Sequence, residues 1–144
     1  MKGAYVLIIK LDSDKEIQIG KLGKLFFKKG FYSYIGSAMN SLEGRIKRHL
    51  NPDKKLHWHI DYLLKHSKII NVFYTESQDR IECDIAKKFS KKLESIEDFG
   101  CSDCKCKSHL FCRSYSEIKN CCSSSNLILY KNKTCKTLRH KELY

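Results

Sequence analysis

Ala4-Tyr5-Val6-Leu7-Ile8-Ile9-Lys10-Leu11 is the stretch on which the fold of this 144-residue chain turns. Tyr5, Leu7 and Ile9 alternate with Val6 and Ile8, so an extended chain here is apolar on both faces and suits a central strand covered on both sides. Glu16 to Ile19 and Leu25 to Phe27, grouped around Gly20 and Gly23, and the aromatic Phe31 to Ile35 after Gly30 read as its antiparallel neighbours. Helices follow. Asn40 is the expected N-cap of the first, with Glu43 as its capping-box partner, Leu42, Ile46 and Leu50 as its buried stripe, and Pro52 beyond its end. Leu56 to His66 and Asp79 to Leu93 read as two further helices, separated by a strand from Lys68 to Tyr74. The expected fold is α+β, a small and mainly antiparallel sheet flanked by helices. It forms a single domain over residues 1–144, with the cysteine-rich C-terminal segment from about residue 100 packed onto it.

The chain carries 28 Lys and Arg against 16 Asp and Glu, a formal net charge of +12. Spread along the whole length, that excess favours a polyanionic partner, although ribosomal and membrane-surface proteins share it. The apolar run Ala4 to Ile9 is too short to span a bilayer and follows a single Lys2, with no small-residue cleavage site. A cytoplasmic protein without membrane contact is therefore expected. In such a reducing compartment the eight cysteines read as thiols or metal ligands rather than as a disulfide framework.

At about 100° per residue, Arg45 and His49 share one shoulder of the Leu42-Ile46-Leu50 stripe, where their stems pack while their heads reach past the sheet. An amphipathic helix with basic flanks gives the same pattern. Glu82 is the sharper anomaly, because it falls on the apolar arc of the third helix between Phe89 and Leu93. A carboxylate there calls for a metal ion, an arginine or the dipole of the first helical turn to compensate its burial. On the second helix His59, Tyr62 and His66 share one shoulder, and His57 and Asp61 the other. Trp58 points away from the stripe, placed either to stack on a base or to cap a loop.

The succession Gly3-Ala4-Tyr5, Tyr34-Ile35-Gly36-Ser37-Ala38, Leu42-Glu43-x-Arg45-Ile46-Lys47-Arg48-His49 and a helical Glu82 resembles the GIY-YIG nuclease superfamily. It looks most similar to a little-characterised archaeal branch, in which Trp58-His59-Ile60-Asp61-Tyr62 and Ser102-Asp103-Cys104-x-Cys106-x-Ser108-His109-Leu110 also recur. The resemblance implies a metal-dependent endonuclease that hydrolyses DNA phosphodiesters in repair or processing, on branched or damaged DNA. It makes Tyr5, Tyr34, Arg45 and His49 catalytic and Glu82 the ligand of one magnesium or manganese ion. Arg45 would clamp a nonbridging phosphate oxygen, and Tyr5 or Tyr34 would orient or deprotonate the attacking water. Gly36, Ser37, Lys54, Lys55, Trp58 and His59 are candidate pocket or nucleic-acid contacts, and Ser108 or His109 stands where many members of the superfamily have an asparagine.

Cys101, Cys104, Cys106 and Cys112, with His109 in the same run, offer enough soft ligands for a tetrahedral zinc site, but lack the second CxxC knuckle of a zinc ribbon. Buried thiols are the alternative. Beside the nuclease, two further readings stay open: a basic nucleic-acid-binding accessory module without turnover, and a cysteine-based zinc-binding protein.

Overall fold

A computed structural model of the protein describes residues 1–101 and 106–131. In chain order its strands and helices are β1 (Gly3–Leu11), β2 (Lys15–Ile19), β3 (Gly23–Phe27), β4 (Gly30–Ala38), α1 (Leu42–Leu50), α2 (His59–Leu64), β5 (Lys68–Glu76), α3 (Glu82–Ser90), β6 (Glu94–Ser95), β7 (Leu110–Arg113), α4 (Tyr115–Ser124) and β8 (Ile128–Leu129). Six strands form one sheet in the order β6-β7-β4-β1-β5-β8, with every adjacent pair antiparallel. The class is α+β, as the periodicities require.

The two apolar faces of β1 are both used. Tyr5, Leu7, Ile9 and Leu11 face a core completed by Leu42 and Ile46 of α1, Ile60 and Leu63 of α2, and Ile17, Ile19 and Phe27 of β2 and β3. Ala4, Val6 and Ile8 face a second core built from Ile85, Ala86 and Phe89 of α3 and Ile118, Cys121 and Cys122 of α4. A sheet buried this way reads as continuous apolar sequence, because neither face is solvated.

Several local expectations change. β2 and β3 do not extend the main sheet; they pair with each other and lie on the α1–α2 face as a separate hairpin. Ser41, not Asn40, caps α1, its hydroxyl accepting from the Gly44 N–H at 2.9 Å. α2 begins at His59 rather than at Leu56, since Asp61 folds back to accept from the His57 and Trp58 amides and closes the chain before the helix. α3 is likewise shorter at both ends than the periodicity suggested. β7 and α4 were not expected at all, although Ser114 and Glu117 form a capping pair that announces α4. Among the described residues no helix is long and apolar enough to cross a membrane.

Candidate functional site

β1 and β4 bring the two tyrosines to one face. Their register sets Tyr5 opposite Gly36 and Tyr34 opposite Leu7. The Tyr5 ring lies flat across Gly36, so that even a methyl group at residue 36 would overlap the ring and its hydroxyl. Tyr-Ile-Gly is thus a steric requirement: only glycine leaves room for the first tyrosine. His49 descends from α1 onto the pair, its Nε2 2.7 Å from the Tyr5 hydroxyl and its ring 6.2 Å from that of Tyr34, edge to face.

Burial sets the protonation states. It raises the Tyr5 pKa well above that of an ordinary phenol, although the Arg45 guanidinium beside the hydroxyl pulls the other way. Burial also lowers His49 to about 3, with the Asp61 carboxylate opposing and the Arg48, Lys54 and Arg45 charges assisting. A protonated phenol and a neutral imidazole can share this bond when Tyr5 donates to Nε2, which leaves the ring proton on Nδ1. That buried Nδ1 has no hydrogen-bond partner among the described residues.

Two arginines on successive turns of α1 stand beside this pair with different fates. Arg48 is held by the fully buried Asp61 carboxylate, at 3.0 and 3.1 Å, and by the Lys55 carbonyl at 2.9 Å. Asp61 itself, pushed up by burial, is brought below its ordinary pKa by Arg48 and the Trp58 and His57 amides. Arg45 has no carboxylate within ion-pair distance among the described residues. Its guanidinium donates to the Ser37 carbonyl at 3.0 Å and lies 4.6 Å from the centre of the Trp58 ring. Arg48 lies 4.4 Å from the same ring. Trp58 is therefore half-buried, with both guanidiniums against its ring.

Glu82 is not among the tyrosines. It opens α3, which covers the opposite face of the sheet. The two faces approach each other at Ser37. β7 pairs with β4 as far as Tyr34, with a last hydrogen bond from Ile35 to His109, so Gly36 to Ala38 have no strand partner on that side among the described residues. Arg45 reaches this edge from one face at the Ser37 carbonyl, and Arg80 reaches it from the other at the Ser37 hydroxyl, 3.3 Å away. Arg80 also lies 3.6 Å from Glu82 Oε2. The second carboxylate oxygen, Oε1, is buried without a hydrogen-bond partner among the described residues. A largely buried carboxylate with one orphaned oxygen fits a hard divalent cation that keeps most of its waters.

Other residues expected at the site have structural work. Lys54 donates to the carbonyls of His49 and Asn51, at 3.0 and 2.7 Å, and caps the end of α1. Lys55 has an exposed side chain, and its carbonyl anchors Arg48. His59 Nδ1 accepts from the Gly100 amide at 2.9 Å and ties the Phe99 loop to α2. The Ser108 hydroxyl is spent on the backbone of Leu110. Asp61, placed by its spacing with His57 on one shoulder of α2, is instead the buried partner of Arg48.

The cysteines divide by face. Cys106 packs with the α3–α4 core and Cys112, six residues on, with the opposite one, so the two cannot share an ion. Cys101 turns its thiol to the Phe99 carbonyl, and Cys104 lies outside the described residues. Among the described residues, the group that could hold a metal ion is Cys83, Cys106 and His109, whose ligand atoms lie within 4.8 Å of one another. His109 thus belongs to this group, and Cys83 is the member that sequence spacing did not reveal.

A sequence family described as a domain of unknown function, DUF123, matches residues 4–130, a span that includes both sites. No curated protein and no solved structure matches the chain.

Proposed function

The chain belongs to the DUF123 family, and we propose that it is a divalent-metal-dependent endonuclease acting on DNA. The observation that supports this most is Arg45, a half-buried cation with no anionic partner among the described residues, held beside a buried Tyr5–His49 pair in a chain of net charge +12. A guanidinium already oriented by Ser37 and Trp58 can receive a phosphate oxygen without having to be ordered first.

In this reading Arg45 binds a nonbridging oxygen of the scissile phosphate. Tyr34, half-buried and standing on His49, orients the attacking water. Tyr5 stays protonated and serves as a positioning residue, because burial opposes its ionisation and Gly36 leaves its ring in one place. His49, neutral throughout the physiological range, holds the Tyr5 hydroxyl. The water oxygen bonds to phosphorus as the bond to the leaving oxygen breaks, and a proton of that water passes to the leaving oxygen, giving a phosphomonoester and an alcohol. Glu82 would hold one magnesium or manganese ion, which supplies Lewis-acid neutralisation of the phosphate charge. Zinc is the ion suited to the separate Cys83, Cys106 and His109 group, outside this chemistry. The proposed substrate is a branched or damaged duplex met in repair or processing, and the proposed setting is the cytoplasm.

The position of Glu82 on the far face favours a second reading, an accessory module that binds DNA without cutting it. Supercoiled plasmid and branched duplexes incubated with the protein in magnesium or manganese separate the two. The nuclease reading expects cleavage, lost in Arg45→Ala and in Glu82→Gln. Binding without cleavage by the natural sequence supports the accessory module, and cleavage that survives both substitutions rejects the site.

A further inference from the structure

Cys83 lies one residue beyond Glu82 in the first turn of α3, and Cys106 and His109 lie on the segment that runs into β7. We propose that these three side chains hold a zinc ion that staples the start of α3 to that segment. The proposal deepens the nuclease reading only in its last consequence, the fixing of Glu82; the zinc site itself does not depend on it.

The donor set selects the ion. Two thiolates and one imidazole suit Zn2+ and exclude magnesium or calcium, which take oxygen ligands. With Zn–S near 2.3 Å and Zn–N near 2.05 Å, a tetrahedron has S···N edges of roughly 3.6 Å and S···S edges of roughly 3.8 Å. Cys83 Sγ and His109 Nε2 stand 3.8 Å apart, and all three donors lie within 4.8 Å, so closure onto an ion needs shifts of about 1 Å or less. A cavity of about 330 Å³, bordered by Cys83, Cys106, Ser108 and Phe111, gives the ion a way in and leaves the fourth position to water or a further ligand.

The staple would join residues 26 apart in sequence. His109 is already fixed on the sheet, because its carbonyl accepts from the Ile35 amide and its own amide donates to Phe99. Tying Cys83 to it anchors the first turn of α3 against β4, and with it the adjacent Glu82 carboxylate beside the open edge at Ser37. Such a crosslink contributes to folding directly, as structural zinc sites do.

The test measures metal content and thermal unfolding on the purified full chain. One zinc per chain is expected, lost in Cys83→Ser and in Cys106→Ser but kept in His109→Cys, which retains a ligand. A chelator should lower the melting temperature of the natural protein reversibly, with recovery on adding zinc, and Co2+ in place of zinc should give a thiolate-to-cobalt charge-transfer band. Absence of zinc from the natural protein, zinc retained in both serine variants, or a melting temperature indifferent to the chelator would overturn the proposal. The chelator arm on the natural chain decides the matter even where a variant fails to fold. None of these readouts involves DNA, so failure of the nuclease reading leaves the zinc result standing, and the reverse holds too.

Discussion

The two faces of one sheet carry two different chemistries. On the α1–α2 face, aromatic rings and arginines enclose a neutral Tyr5–His49 pair, and the charged groups are matched by hydrogen bonds or by an aromatic ring. On the α3–α4 face the soft groups Cys83, Cys106 and a buried His109 accompany the hard Arg80–Glu82 pair at the start of α3. Histidine occurs on both, and its neighbours decide its task. His49 meets a phenol and stays neutral as a hydrogen-bond partner, whereas His109 meets two thiols in a group that could hold a metal ion. Between the faces the β4 edge at Ser37 is shared, touched by Arg45 from one side and Arg80 from the other.

If the faces are independent, substitutions on the first should have the same effect with or without a chelator, since distant sites add. The largest expected effect is that of Asp61→Ala, which strands Arg48 and two backbone amides in a buried site. It should lower unfolding stability in urea by about 3–5 kcal/mol. The same loss in the presence of a chelator keeps the faces separate; a loss that changes by more than a small fraction joins them.

Acid comes next. The folded-state pKa of His49, about 3, lies below its ordinary 6.5, so under acid the unfolded chain binds a proton that the native state refuses. The stability it contributes is complete above pH 6.5 and falls as pH drops toward 3, by about 1.4 kcal/mol per pH unit. Urea unfolding of the natural protein between about pH 4 and pH 7 should show that extra slope, and His49→Phe should remove it. Equal slopes for the two proteins would mean that His49 is not buried neutral.

Gly36→Ala should cost about 1–3 kcal/mol, the usual range for overpacking, because the added methyl meets the Tyr5 ring. Near-ultraviolet circular dichroism should report the displaced tyrosine. The smallest effect belongs to Lys54→Ala, which uncaps α1 and should cost about 0.5–1.5 kcal/mol, read as a small fall in melting temperature. A loss of DNA binding larger than that fall predicts would restore Lys54 as a phosphate contact.

Much of the fold was legible because its decisive signals are local. The two-faced apolar run fixed β1 as a central strand, and the 3.6-residue stripe of α1 placed Arg45 and His49 on one shoulder, where they are found. Signals that depend on a distant partner were not legible. Short strands such as β2 and β3 carry no information about which sheet they join. Nothing in the spacing of Asp61 tells that it will be fully buried against Arg48 of another helix. Cys83 is a lone cysteine in sequence and becomes one of three potential ligands only when α3 packs beside His109. The Ser114–Glu117 capping pair, by contrast, was readable, and its neglect cost α4.

The most direct test of the central proposal is the initial rate at which the natural protein nicks supercoiled plasmid in magnesium, set beside that of Arg45→Ala. The account predicts cleavage by the natural sequence and a fall of about 10²- to 10³-fold in the variant, the scale expected for removing one preorganised contact to the transition-state charge. Equal rates for the two proteins, or no cleavage by the natural one, would contradict it.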